Sequence, residues 1–297
     1  MPVQMVSERV GVIPGGVNIG VVRSGNGRCF MVDAGLNDTA AKKALKAIRE
    51  DLGDEVVAIL TTHGHADHFG GNATVVKRTG AKVYAPEYDE AFLRYPLLQP
   101  ASLFAGAEPP STMRGSFMLA DASPVDVVIR EPKFEIDGVE IEVINLSGHS
   151  PNQQGYRIDG VFVCADVILP ATVLEKYKIP YLFGVKNHLA ALERCVDVPA
   201  NCVVPGHGPL LDSIVETRDL NLALMHDVVE QVIEICAEPS TGGEVLARLL
   251  GHYDATPQDA PAYFLLHPTV FAFLGYLQDE GRLRHDITNG ESRWQTL

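Results

Sequence analysis

Over the first thirty-five residues the chain alternates short apolar runs with turn residues. Val10–Ile13, residues 18–22 and Arg28–Val32 read as strands, separated by Pro14-Gly15-Gly16 and Ser24-Gly25-Asn26-Gly27 and stopping at Asp33-Ala34-Gly35. The period then lengthens. Ala41, Leu45, Ile48 and Leu52 recur at helical spacing, with Lys and Glu between them, and Gly53 stands where a C-cap glycine belongs. A strand over Glu55–Leu60, a helix over 72–78 ending at Gly80 and a strand over 82–85 complete a β-β-α-β-α-β rhythm. Similar elements follow later. Strands are expected at 125–129, Lys133–Ile136 and 139–144, with Asp137-Gly138 as a hairpin turn, and at 155–158 and Val161–Ala165 around Asp159-Gly160. A helix over 187–195 and a strand over 202–204 close this half.

Residues 86–124 interrupt the pattern. They carry Phe92, Tyr95, Leu97, Leu98, Leu103 and Phe104 ahead of Pro109-Pro110. A connection this long inside a compact domain carries structure or function of its own. It is either a lid or pocket wall, or a peripheral helix or homodimer contact. After residue 212, Ile214, Leu220, Leu224, Val228, Val232 and Ile235 predict a long amphipathic helix. Helices over 244–250 and 270–279 and a ribbon around Thr288-Asn289-Gly290 follow, an outline that resembles a small winged-helix module.

Charge and composition narrow the function. The chain has 297 residues, 46% hydrophobic and 21% charged, an ordinary globular composition. Its net charge of −14 disfavours nucleic acid as a partner. Residues 239–297 hold four Arg and no Lys against seven Asp and Glu, so a structural or dimerisation role is expected there rather than DNA binding. The longest apolar runs, such as residues 56–60, have strand length, so no membrane span is expected. The start MPVQMVSERV does not read as a secretory signal. The five cysteines (29, 164, 195, 202 and 236) form no Cys-X-X-Cys pair, which points to a reducing compartment, the cytoplasm.

One segment carries the chemistry: Thr61-Thr62-His63-Gly64-His65-Ala66-Asp67-His68-Phe69-Gly70-Gly71. Three His and one Asp fall within six residues, directly after an apolar strand. Imidazole and carboxylate are ligands for zinc, iron or manganese. Gly64 and Ala66 are small enough for the loop to fold tightly and turn alternate side chains to one centre.

This segment resembles the His-X-His-X-Asp-His signature of the metallo-β-lactamase superfamily. Three further segments match that family in order: Ser147-Gly148-His149-Ser150-Pro151, Cys164-Ala165-Asp166 and Pro205-Gly206-His207-Gly208. The resemblance covers roughly residues 8–212 and implies an α/β fold, a four-layer αββα sandwich. Residues 1–212 are then the catalytic domain, with 86–124 as an insertion, and 213–297 the C-terminal helical, winged-helix-like module. It further implies that His63, His65 and His149 hold one divalent metal, that Asp67, His68 and His207 hold a second, and that Asp166 bridges them. Zinc is the first expectation, with manganese or iron as alternatives. Seven donors exceed what one four-coordinate ion takes and suit two ions sharing a carboxylate and a bridging hydroxide.

The expected activity is hydrolysis of a small ester, thioester or lactone by that hydroxide, with Asp67 orienting it and passing a proton to the leaving group. His65 stands where the flavodiiron branch carries Glu, which favours the hydrolase branches. An iron-dependent persulfide dioxygenase would use His63, His149 and Asp166 alone, and a phosphodiesterase or nuclease is a further alternative. Lactonases of the family place a Tyr shortly after the bridging Asp. Here Leu169 and Pro170 occupy that region, and Tyr177 and Tyr181, further on, are the candidate substrate contacts. The basic residues with which glutathione thioesterases of the family bind glutathione have no match in the acidic C-terminal region.

Overall fold

The computed structural model describes residues 2–297. The elements run in the order β1 (Gln4–Met5), β2 (Val10–Ile13), β3 (Ile19–Gly25), β4 (Arg28–Val32), α1 (Asp38–Ala47), β5 (Glu55–Leu60), α2 (Ala66–Phe69), α3 (Asn72–Thr79), β6 (Lys82–Pro86), α4 (Asp89–Arg94), α5 (Leu98–Leu103) and β7 (Val127–Ile129). The second half continues with β8 (Lys133–Ile136), β9 (Val139–Asn145), β10 (Gln154–Ile158), β11 (Val161–Ala165), α6 (Ala171–Tyr177), α7 (Val185–Cys195) and β12 (Cys202–Pro205). The chain ends with α8 (Val215–Ile235), α9 (Gly242–His252), α10 (Ala260–Asp279), β13 (Leu283–Thr288) and β14 (Glu291–Thr296).

The first half forms a seven-stranded sheet in the order β1 to β7, and the second a five-stranded sheet in the order β12-β11-β10-β9-β8. Both are buried on two faces, so alternate residues of a strand enter different cores. In β4, Phe30 and Val32 face the second sheet, while Cys29 and Met31 face α1 and α3. In β11, Val161 and Val163 face the first sheet, while Phe162 and Cys164 face α7 and α8. The result is the expected four-layer αββα sandwich. α1 starts where Asn37 caps the backbone N–H groups of Thr39 and Ala40, and it continues through Leu52 as wider, π-helical turns.

The last three helices share one apolar core with the outer face of the second sheet. Met225, Val228 and Val232 of α8 and Val270, Phe273 and Leu274 of α10 lie in the same cluster as Leu146, Phe162 and Leu192. Trp294 of the terminal ribbon joins it. The 86–124 segment carries α4, α5 and a 3-10 turn at Ser111–Met113. It packs through Leu103, Met113 and Met118 on Phe264 and Leu265 of α10 and on Tyr181.

α10 corrects the bounds of the helix expected over 270–279, which runs from Ala260 to Asp279. It is 20 residues long and apolar enough, by length and composition alone, to cross a membrane. Pro268 inside the helix hid the first half of it from the sequence pattern, because proline removes a helical N–H donor and normally marks an end. Its buried face, with Leu266, Val270, Phe273, Leu274 and Leu277, belongs to the core.

Candidate metal centre

Strand direction assembles the site. β4 and β5 run parallel. β9 and β11 both run antiparallel to β10 and β11 is parallel to β12, so β9, β11 and β12 share one direction. The loops after β5, β9, β11 and β12 supply the seven candidate ligands, as strand ends in open α/β sheets commonly do. His63, His65, Asp67 and His68 follow β5, with Asp67 and His68 on the short α2. His149 lies between β9 and β10, Asp166 directly follows β11, and His207 follows β12.

The side chains converge. His63, His65 and His149 bring three ring nitrogens within 4.8 Å of one another, and on the other side a carboxylate oxygen of Asp67 and ring nitrogens of His68 and His207 lie equally close together. His65 Nδ1 is 2.9 Å from His149 Nε2. Asp166 lies between the two groups: Oδ1 is 3.5 Å from His68 Nε2, and Oδ2 is 3.3 Å from His207 Nε2 and 3.5 Å from His149 Nε2. Asp67 Oδ2 is 3.5 Å from His207 Nε2. His63 and His68 are fully buried, whereas the side chains of His207 and Asp67 keep 21% and 18% exposure and mark the open side.

Hydrogen bonds around the centre fix which ring nitrogen faces it. Thr62 Oγ1 donates its one proton to Asp33 Oδ2 at 2.8 Å, so at 3.0 Å it accepts from His63 Nδ1. His68 Nδ1 donates to Asp33 Oδ2 at 2.8 Å, His149 Nδ1 to the Tyr181 carbonyl at 3.2 Å and His207 Nδ1 to the Gly16 carbonyl at 2.6 Å. Each of these four rings therefore turns Nε2 to the centre, in the manner of metal-ligating histidines held by outer partners. His63 Nε2, His68 Nε2 and Asp166 Oδ1 are buried without a hydrogen-bond partner. Orphaned buried groups of this kind are costly, and a cation among them would satisfy all three. The donor set thus fits divalent metal.

Protonation divides the site in two. Burial holds His65 down to about 4, and burial with the neighbouring His65 holds His149 down to about 3. His63 is also well below its ordinary value, through burial and the adjacent His68. These three rings are neutral, the ligating form. Burial opposes charge on His68 too, but Asp166, Asp67 and Asp33 overcome it and raise the ring to about 10. Asp166, with Asp67, raises His207 to about 12 despite burial. The carboxyls of Asp67 and Asp166 are in turn held below the usual range, their burial outweighed by His68 and His207.

Of the two candidate tyrosines, Tyr181 meets the centre. Its ring stands edge-on to His65 at 5.3 Å and to His149 at 5.8 Å between centroids. Tyr177 is 43% exposed at the end of α6, where Lys176 Nζ donates to its hydroxyl at 3.1 Å, and it is not among the rings that meet those histidines. Several supporting residues carried no sequence signal. Asp33 read as a strand end. Asn18 donates to the carbonyls of Pro205 and Gly208, each at 2.9 Å, and holds the His207 loop. Asp89 is fully buried and accepts N–H groups from two ligand loops, and burial lifts its carboxyl to about 6.

Known proteins share this fold. A β-lactamase domain protein from Burkholderia ambifaria matches it with a TM-score of 0.75 at 22% identity over 100% of this chain and 96% of that one. A metallo-beta-lactamase family protein from Thermus thermophilus gives 0.74 at 21% identity, covering 97% and 98%. In sequence, the chain is 27% identical over 121 residues to a hydroxyacylglutathione hydrolase of Shewanella pealeana, covering 40% of this chain and about a third (35%) of that protein. It is 24% identical over 196 residues to the Bacillus subtilis protein named Probable metallo-hydrolase YqgX, covering 64% of this chain and 84% of that one. All seven convergent side chains lie within residues 12–207, which the family model matches, and the chain belongs to the metallo-beta-lactamase superfamily.

Proposed function

We propose that the protein is a hydrolase that uses two divalent metal ions, zinc first among them, to cleave a small ester, thioester or lactone. The observation that carries this reading is the position of Asp166, whose two oxygens face both halves of a seven-donor site. When bound, such ions polarise a carbonyl and make water a nucleophile near neutral pH.

The chain's own groups do the rest. Asp67, at the open edge of the site, is placed to orient the attacking water through Oδ2 and to pass its proton to the leaving oxygen or sulfur. Tyr181 supports a reading in which the acyl group enters beside His65 and His149, against the apolar cluster of Leu103, Met113 and Met118. A phosphodiester substrate finds less support. Arg282, Arg284 and Arg293 each pair with a carboxylate, and Arg248 donates to the Ile235 carbonyl, so the C-terminal helices and ribbon offer no unengaged guanidinium to a phosphate backbone. The five free cysteines suit a reducing compartment such as the cytoplasm.

Elemental mass spectrometry of purified protein, followed by turnover of an ester, thioester and lactone panel, tests the proposal. About two zinc or manganese ions per chain are expected, with metal and turnover lost together in His63→Ala and Asp166→Ala. Turnover by His63→Ala at full metal content would refute the assignment. A single iron, with oxygen consumed in the presence of a persulfide, would replace it with the dioxygenase reading.

A further inference from the structure

We propose that Asp89 is a positioning residue of the three-histidine half of the centre, a strut that sets the His63–His65 loop against the His149 loop. The inference rests on the metal reading above. Asp89 Oδ1 accepts the backbone N–H of Gly64, between His63 and His65, at 2.8 Å. Its Oδ2 accepts the backbone N–H of Asn152, just beyond His149, at 2.7 Å. One carboxylate thus joins two loops that are far apart in the chain, and the Ser150 hydroxyl lies beside it. Asp89 opens α4, yet both of its carboxylate oxygens accept from residues outside that helix.

Three further features show how tightly this strut is built. The neighbouring acids take the available cations, Glu87 pairing with Arg130 and Glu90 with Arg94, so the buried Asp89 carboxylate relies on the two loops. Gly64 has no spare room against α4: a Cβ there would lie 2.9 Å from the Asp89 carbonyl and 3.0 Å from Phe92 Cβ. Tyr88 takes φ 69° and ψ −52°, a conformation a tyrosine keeps only when its surroundings enforce it. Its own side chain is 67% exposed and cannot supply that force. The residues on either side are anchored instead, the Glu87 carbonyl accepting from Asn152 Nδ2 at 3.1 Å and the Asp89 carboxylate from the two loops. α4 also begins the 86–124 segment, whose Leu103, Met113 and Met118 pack with Tyr181.

Zinc is the probe. Wild-type apoprotein, Asp89→Asn and Asp89→Ala are titrated against a chromophoric chelator to read the two stepwise affinities. In Asp89→Asn the amide NH2 faces one of the two backbone N–H groups, so one of the bonds is lost. One zinc step is expected to weaken about 10- to 100-fold, as for other supporting residues around metal ligands, with the other step unchanged. A merely structural carboxylate would lower the thermal midpoint of the apoprotein and leave both steps alone, and that result, or equal weakening of both, overturns the proposal. A wild type that binds no zinc overturns the metal reading instead. The wild-type protein also offers a test that survives a misfolded variant. The Gly64 and Asn152 amide protons should resist hydrogen exchange, and free exchange of either overturns the strut.

Discussion

Asp33 and His68 stand 35 residues apart in sequence and 2.8 Å apart in space, Oδ2 of the one accepting from Nδ1 of the other. The same carboxylate accepts the backbone N–H and the hydroxyl of Thr62, each at 2.8 Å, and Thr62 orients His63. One residue at the end of β4 therefore orients a ring in each half of the centre. Asp33→Asn sets an NH2 group against at least one of these donors. Metal affinity, read by chelator competition, should fall about 10- to 100-fold. Asp33→Ala leaves three buried donors without a partner and should also destabilise the apoprotein by at least about 2 kcal/mol in denaturant unfolding. Unchanged affinity in Asp33→Asn would remove Asp33 from the orienting role.

Much of this architecture was legible beforehand. The continuous apolar runs in Arg28–Val32 and Val161–Ala165 reflect burial on two faces, and ligand types packed into residues 63–68 leave little room for another reading. What stayed hidden is long-range. Asp33, Asn18 and Asp89 act through bonds to loops far along the chain, and such bonds leave no periodic trace. The front half of α10 was hidden by Pro268, and the helices inside 86–124 were masked by mixed apolar and polar positions. Tyr177 and Tyr181 look alike in sequence, and only the turn after α6 separates them, one exposed and one against His65.

The two halves of the centre should respond differently to pH. His65 and His149, held down to about 4 and about 3 by burial, are already neutral at pH 7. His68 and His207, held up to about 10 and about 12 by the carboxylates, carry protons that a metal must displace. Affinity of the Asp67–His68–His207 half should therefore rise with pH between about 7 and 9, by up to about tenfold per unit for each proton released. The three-histidine half should stay nearly flat over that range. Isothermal titration in buffers of different ionisation enthalpy counts the protons, and zero protons released would sink the assignment.

The same shifts predict the stability of the metal-free protein. His65 and His149 have folded values below the ordinary 6.5. Their contribution is present above pH 6.5 and is lost as pH falls toward about 4 and about 3. His68 and His207 have raised values, so their contribution is full below 6.5 and is lost as pH rises through about 10 and about 12. Denaturant midpoints of apoprotein should decline on both flanks. In His68→Asn the alkaline decline should shrink while the acid decline persists. A mutant with an unaltered alkaline limb would contradict the pairing of His68 with Asp166.

Gly206 has a steric role that can be read from one distance. A Cβ there would lie 1.9 Å from Asp166 Oδ1 and 3.0 Å from His68 Cε1. Both neighbours are buried candidate ligands, and the Gly206 N–H is itself bonded to the Ala165 carbonyl at 2.9 Å. Gly206→Ala must therefore displace the Asp166 carboxylate from its place between the two halves. Turnover should drop by at least about 100-fold with weakened metal binding, while circular dichroism stays that of the wild type. Full turnover in this variant would mean that Asp166 tolerates displacement and does not act as the shared ligand.

Tyr181 and Tyr177 form a matched pair for testing where the substrate sits. Tyr181 lies between the His65 and His149 rings and the apolar cluster of Leu103, Met113 and Met118, whereas Tyr177 contacts Lys176 at the surface. A neutral hydrogen bond from a hydroxyl to a substrate carbonyl contributes about 0.5–1.5 kcal/mol. Tyr181→Phe should then lower kcat/KM by about 2- to 13-fold with unchanged metal content, and Tyr177→Phe should leave kcat/KM at the wild-type value. Tyr181→Ala also removes the ring that separates the histidines from the cluster, so it should raise KM for the more apolar acyl groups beyond the effect of Tyr181→Phe. Equal kinetics for Tyr181→Phe and wild type would leave the ring alone as the contribution. Equal kinetics for Tyr181→Ala as well would move the acyl site away from the 86–124 wall and toward the exposed edge formed by His207 and Asp67.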